Sequence, residues 1–400
     1  MILELLIALI IGVIAGTFTG LFPGIHINLV AAGLLASVDS FSGVPVMALV
    51  VFIVAMSITH TFIDFIPSIL LGAPNEDTFL SVLPGHRLLQ EGKGYEAIVL
   101  TLYGSLMALP ILIVFTFIFI AFLPFVFNFV KLILAYILIF VSLYMIFRED
   151  NFISAFIVFI LAGLLGWLAF NLPVKEPLLP LLSGLFGFSG IIVSIKNKVL
   201  IPEQKTRKLR EIRLNRSTVI KSSFAAALVA PLCSFLPGIG SGHAAVLGSE
   251  FVKNDNKSFL FLVGVINTIV MGLSFVTAYT IGKGRTGSAV AIQELLGKIS
   301  PESLTIVIIA IIISGLLAFF VGMFFAKLGT KYIGRVNYTR ISFVVIVILL
   351  VVNLVLSNWY GLIVLVTATA LGIFTILSGV RRIQMMGALI LPAIMFYLMI

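Results

Sequence analysis

Leu21-Phe22-Pro23-Gly24-Ile25-His26-Ile27-Asn28 returns, altered, as Phe235-Leu236-Pro237-Gly238-Ile239-Gly240-Ser241-Gly242-His243. Each copy follows an apolar run and precedes small residues, Val30-Ala31-Ala32-Gly33 in the first and Ala244-Ala245-Val246-Leu247-Gly248 in the second. A Pro-Gly pair stops a helix, because proline lacks an N–H and disfavours α geometry before it while glycine accepts positive φ. After each copy come a long apolar span, a polar Gly-rich patch and four more apolar spans. One unit is written twice. Paired apolar segments interrupted by Gly and Pro in matching halves point to the binding region of a secondary transporter.

Composition sets the class. Apolar residues make up 61% of the 400-residue chain and charged residues only 10%, against roughly 25% charged in soluble domains. Crossing a bilayer takes about 20 apolar residues, and such runs recur along the whole chain. The short alternating segments of a β-barrel are missing. The expectation is an all-α polytopic membrane protein built from two inverted repeats, each with a Pro-Gly-broken or re-entrant helix near mid-membrane. The repeats would occupy residues 1–195 and 219–400, with a basic cytoplasmic loop at 196–218 between them. Net charge is +9, and much of it lies between Lys196 and Lys221, where only Glu203 and Glu211 oppose it. Without interleaved aromatics for base stacking, that loop obeys the positive-inside rule and is not a nucleic-acid surface. The turns at Arg148-Glu149-Asp150 and at Lys327 to Arg340 are both expected inside, which makes the repeats inverted. Cys233 is the single cysteine, so no intrachain disulfide forms. Met1 to Thr19 is expected to be a retained span and not a signal peptide.

The first repeat should start with a span over Ile2–Thr19, broken at Pro23-Gly24, and a short segment from His26 to Ala36. A long span from Val44 to Leu71 follows, kinked at Pro67. It carries His60 and Asp64 one turn apart, on one helix face. An acidic patch, Gly72 to Thr78, holds Glu76 and Asp77. Spans then cover Ala97–Leu123, Val126–Phe147, Phe152–Leu172 and Leu178–Ile195. In the second repeat a span breaks at Pro237-Gly238, and Asn267 lies inside the span Ser258–Ile281. The basic patch Gly282-Lys283-Gly284-Arg285-Thr286-Gly287-Ser288 sits where the acidic one sat. Four further spans are expected over Ser303–Ala326, Ile341–Leu356, Tyr360–Leu377 and Ile383–Ile400.

Two sets of candidate residues follow. Freed N–H groups and the positive end of a half-helix suit an anion, which selects Pro23, Gly24, His26, Asn28, Pro237, Gly238, Ser241 and His243 as substrate-binding. Lys283, Arg285 and Thr286 join them, since a guanidinium fork pairs bidentately with carboxylate or phosphate. Ionisable groups at membrane depth are costly and mark ion pathways, so His60, Asp64, Glu76 and Asp77, with Asn267, are the coupling-ion candidates. No zinc helix, nucleophile elbow, phosphate loop or cysteine pair is present. No catalytic residue, metal site or cofactor is expected, beyond H⁺ or Na⁺ as coupling ion. The competing reading is a membrane enzyme acting on a lipid-linked substrate, with Asp64, Glu76 and Asp77 around a divalent metal.

The stretch from Thr59 through Leu70-Leu71-Gly72-Ala73-Pro74-Asn75-Glu76 to Pro84-Gly85-His86-Arg87 and Gly92-Lys93-Gly94, with both Pro-Gly breaks, resembles the TctA family, and within it the shorter archaeal-type members. TctA is the large membrane subunit of tripartite tricarboxylate transporters. The chain departs from the family pattern where His60 to Asp64 replace a glycine-rich run. At the breaks the chain is also similar to polyprenyl-phosphate transporters. The resemblance implies a multi-pass transporter in the plasma membrane of a prokaryote, surrounded by membrane lipids, a homodimer being possible. Its partner would be a small organic anion of the carboxylate class or, alternatively, a lipid phosphate.

Overall fold

Long apolar runs with small residues at their crossings become helices because lipid offers the backbone no other hydrogen-bond partner. The computed structural model describes residues 2–22, 27–36, 38–41, 43–72, 78, 81–196, 202–212, 214–236, 240–252, 255–333 and 338–399. Its helices in the first half are α1 (Ile2–Leu21), α2 (Ile27–Ala36), α3 (Val46–Ile63), α4 (Phe65–Leu71), α5 (Val82–Gln90), α6 (Gly94–Phe147), α7 (Phe152–Asn171), α8 (Leu178–Leu182) and α9 (Ser189–Lys196). The second half holds α10 (Arg216–Cys233), α11 (Ser241–Ser249), α12 (Asn256–Ile281), α13 (Gly287–Leu296), α14 (Pro301–Ile333), α15 (Tyr338–Leu377) and α16 (Gly387–Leu398). Among the described residues there is no strand, and seven helices are long and apolar enough to cross a membrane. The chain is an all-α, polytopic membrane protein.

Prolines account for three local features, of which the second departs from the sequence expectation. The long first-half span runs from Val46 to Leu71, and the Pro67 kink interrupts it at Asp64, between α3 and α4. Proline 67 has no N–H for the Ile63 carbonyl, so the helix comes apart one turn before it. Secondly, α6 runs unbroken for 54 residues through Pro110 and Pro124, where two spans were expected. A proline in an apolar helix loses one hydrogen bond, and lipid penalises any larger opening of the backbone. Thirdly, the Pro84-Gly85-His86-Arg87 patch is helical, with Pro84 in the first turn of α5, where its missing donor costs nothing. In α15, by contrast, the expected division falls at Asn358, whose φ of 61° interrupts the helix.

The pairing of helices in the first half recurs in the second. α1 lies on α3 as α10 lies on α12, while α3 packs on α14 of the other half as α12 packs on α6. Consequently one large apolar core runs through both halves, beside a small cluster around Phe188, Ile191 and Leu349. Close crossings depend on glycine. On α1, Gly12, Gly16 and Gly20 recur every fourth residue and bring the helix onto the backbone of α3, so that a Cβ at Gly16 would collide with the Met56 carbonyl. Such small-residue stripes let membrane helices meet closely. Two glycines also end the long spans alike: Gly72 closes α4 at φ 65°, ψ 26°, and Gly282 closes α12 at φ 63°, ψ 27°. Both angles lie in the left-handed region that glycine enters at no steric cost.

Candidate functional site

The break at Asp64 is the centre of a polar cluster inside the apolar core. Asp64, His60 and Asn267 are buried, at 3%, 4% and 2% exposure. The Asp64 N–H still donates to the His60 carbonyl at 3.0 Å, which keeps both side chains on one face. His60 Nε2 stands 3.9 Å from Asp64 Oδ2, too far for a hydrogen bond. From the opposite half, Asn267 Nδ2 of α12 donates to the same oxygen at 3.3 Å. His60 Nδ1 meets Thr19 Oγ1 of α1 at 3.0 Å. The glycine stripe on α1 explains this contact, since it brings Thr19 close enough to touch the ring.

Hydroxyl pairs surround the cluster and join the halves. Thr61 Oγ1 lies 3.2 Å from Thr268 Oγ1, and Ser57 Oγ lies 2.9 Å from Ser288 Oγ of α13. Behind the break, Ser68 Oγ donates to the Asp64 carbonyl at 2.8 Å and reaches Thr78 Oγ1 at 2.6 Å. Three helices, α1, α3 and α12, thus converge on one carboxylate and one imidazole. The arrangement can take up a proton or hold a small cation, and its members come from both halves of the chain.

The other candidate residues are placed less tightly. Thr286 caps α13, its Oγ1 accepting from the Ala289 N–H at 3.2 Å and meeting Ser274 Oγ at 3.0 Å. Arg285 is half-buried, and its charge acts on Cys233 at the end of α10, just before the second Pro-Gly pair. Lys283 is exposed, with Nζ 5.4 Å from the centre of the Phe127 ring. Ser241 is buried at the start of α11, which also carries His243; Asn28 belongs to α2, which packs on α13. Pro23, Gly24, His26, Glu76, Asp77, Pro237 and Gly238 lie outside the described residues. Sequence reasoning missed Thr19, Thr61, Thr268 and Ser57, since nothing in a lone hydroxyl marks its partner on a distant helix. Among the described residues no three His, Cys, Asp or Glu side chains come together as a metal would need.

Two comparisons with known proteins agree with this architecture. The model of the tripartite tricarboxylate transporter TctA family matches residues 6–387. The uncharacterized protein MJ1079 of Methanocaldococcus jannaschii is 32% identical over 366 residues, which cover 87% of this chain and 88% of that protein. No solved structure matches. The chain is therefore a multi-pass membrane protein of a transporter family, and it belongs to the tripartite tricarboxylate transporter TctA family.

Proposed function

We propose that the chain is a secondary-active transporter of an organic anion of the carboxylate class, driven by a coupled cation. The observation that carries this reading is the buried Asp64, beside His60 and bonded by Asn267 from the other half. An ionisable pair in the core of a membrane protein costs free energy that a passive role does not repay. The 3.9 Å between His60 Nε2 and Asp64 Oδ2 leaves space for a small cation held by both, and either group can take up a proton. Alternating access then follows from rearrangement of two inverted repeats, residues 1–195 and 219–400, about this centre. To the anion side we assign the Pro-Gly stretches with Gly24 and Gly238, together with Arg285, Lys283 and Thr286. Glu76 and Asp77 belong to the cation side.

Uptake of citrate and of succinate into proteoliposomes, driven in turn by a pH and a Na⁺ gradient, tests the reading. Asp64→Asn should abolish the dependence on the driving gradient at normal protein yield. An unchanged dependence would remove Asp64 from the coupling.

A second reading, movement of a polyprenyl phosphate, is favoured by one feature. An apolar groove of about 600 Å³ opens among α6, α12 and α14, lined by Leu100, Tyr103, Met107, Pro110, Phe261 and Leu316. A prenyl chain would suit it. Flipping of a fluorescent polyprenyl phosphate in the same vesicles separates the two readings.

A further inference from the structure

Arg382 is a buried cation, 7% exposed, at the start of a short 3-10 turn (Arg382–Met386) that leads into α16. Its Nη2 donates to the Phe186 carbonyl at 2.6 Å and to Ser189 Oγ at 3.0 Å, and the guanidinium lies 5.8 Å from the centre of the Phe186 ring. Those partners are all neutral. Among the described residues no carboxylate lies within ion-pairing distance of it. Its Nε is buried and has no hydrogen-bond partner. Taking a guanidinium out of water without a counter-charge is among the costliest arrangements a protein can hold.

Phe186 belongs to a π-helical turn (Ser183–Phe188) inside the apolar segment between α8 and α9, and such widened turns gather at functional sites. Gly190 faces the guanidinium, and a Cβ there would stand 3.2 Å from Nη2 and 3.4 Å from Nη1. His86 of α5 lies near enough to feel the Arg382 charge, while its Nδ1 donates to the Ile69 carbonyl of α4 at 2.9 Å.

We propose that Arg382, flanked by Ser189 and Gly190, is an anion-binding site whose ligand is the carboxylate or phosphate group that completes its unpaired guanidinium edge. Only the choice between carboxylate and phosphate rests on the transport reading above; the requirement for an anion rests on the buried charge. An anion there would accept from the Nε–H and take the place of Ser189 Oγ on Nη2, forming the side-on pair in which a guanidinium binds such groups most strongly.

Thermal unfolding of the full-length protein in nanodiscs of zwitterionic lipid, titrated with citrate, succinate and inorganic phosphate, tests it. The wild-type Tm should rise with at least one of these anions. Arg382→Gln should weaken that anion by about 10-fold or more, the loss of a charge-assisted pair, yet be as stable as wild type without anion, because it removes an unpaired charge. Arg382→Lys and Gly190→Ala, which keep the charge but alter the fork or its space, should weaken binding less, and they read the same titration if Arg382→Gln fails to fold. A wild-type Tm unmoved by all three anions would overturn the site. So would variants that bind within two-fold of wild type, leaving Arg382 as a clamp on Phe186 and Ser189. Citrate and succinate uptake is scored separately. Uptake with an unchanged KM in Arg382→Gln sinks the site alone, and Arg382-dependent binding without wild-type uptake sinks the transport reading alone.

Discussion

Gly16→Ala puts a number on how closely α1 must approach α3. The added Cβ would collide with the Met56 carbonyl and stand 2.8 Å from Thr59 Cβ. Ordinary contact begins at 3.4 Å, so the helices must part by at least the difference, and by about 1 Å to clear the carbonyl. Thr19 lies less than one turn further along α1 and moves with it. Its 3.0 Å contact with His60 would then open to about 4 Å, beyond hydrogen bonding. Overpacking costs about 1–3 kcal/mol and the lost hydrogen bond about 1 kcal/mol. The better helix propensity of alanine returns up to about 1 kcal/mol. The net expectation is a loss of about 1–3 kcal/mol, since overpacking outweighs propensity. The matched control is Gly33→Ala on α2, where an added Cβ meets nothing within 4 Å and only the propensity gain applies. Thermal unfolding of both variants in nanodiscs should give Tm changes of opposite sign. Equal shifts in the same direction would refute the packing argument.

Two further outcomes follow from polar groups at or beyond the ends of the spans. Burial holds the His86 imidazole below its ordinary value, against the pull of the Ile69 carbonyl and with a smaller contribution from Arg382. The unfolded chain therefore binds that proton first as pH falls below about 6.5, and stability should decline through the window beneath it. Between about pH 7.5 and about pH 5.5 the wild-type Tm should fall more than that of His86→Gln, and equal losses would exclude His86 as the cause. Glu96 is buried and meets Lys257 Nζ at 2.5 Å and Arg207 Nη1 at 3.6 Å, tying α6 to α12 and to the basic loop. Both cations are well exposed and rehydrate when released, so Glu96→Gln should cost about 1–2 kcal/mol rather than the full penalty of a buried pair. A change below about 0.5 kcal/mol in denaturant unfolding would place the pair among surface contacts.

Class and element order were legible because they depend on composition and on breakers. The apolar runs announced the helices, and Asn267, His60 and Asp64 stood out as polar groups within them. What escaped was mostly a matter of distance along the chain. The contact of Asn267 with Asp64 joins residues half a chain apart, and no local pattern encodes it. Arg382 was passed over because it follows Arg381 and the Ser378-Gly379 turn, where a pair of arginines looks like ordinary interfacial charge. Arg381 does pair with Glu149 at 2.6 Å, while its neighbour turns inward. The kink at Asp64 was readable from Pro67. Proline marked it, but the discontinuity falls where the missing N–H is felt, one turn upstream of the ring.

The shared core also has a consequence for the order in which the protein is made. The two most enclosed spans are the one from Val46 to Leu71, 83% buried, and α12, 94% buried. They belong to opposite halves, and each is covered by helices of the other. When Leu71 leaves the ribosome, α14 still lies roughly 230 residues downstream, a wait on the order of 10–50 s at ordinary rates of synthesis. For most of that interval the helix face bearing His60 and Asp64 has α1 beside it but neither α12 nor α14. A nascent first half must therefore remain beside the insertion machinery or a membrane chaperone, its carboxylate waiting for an asparagine that has yet to be translated.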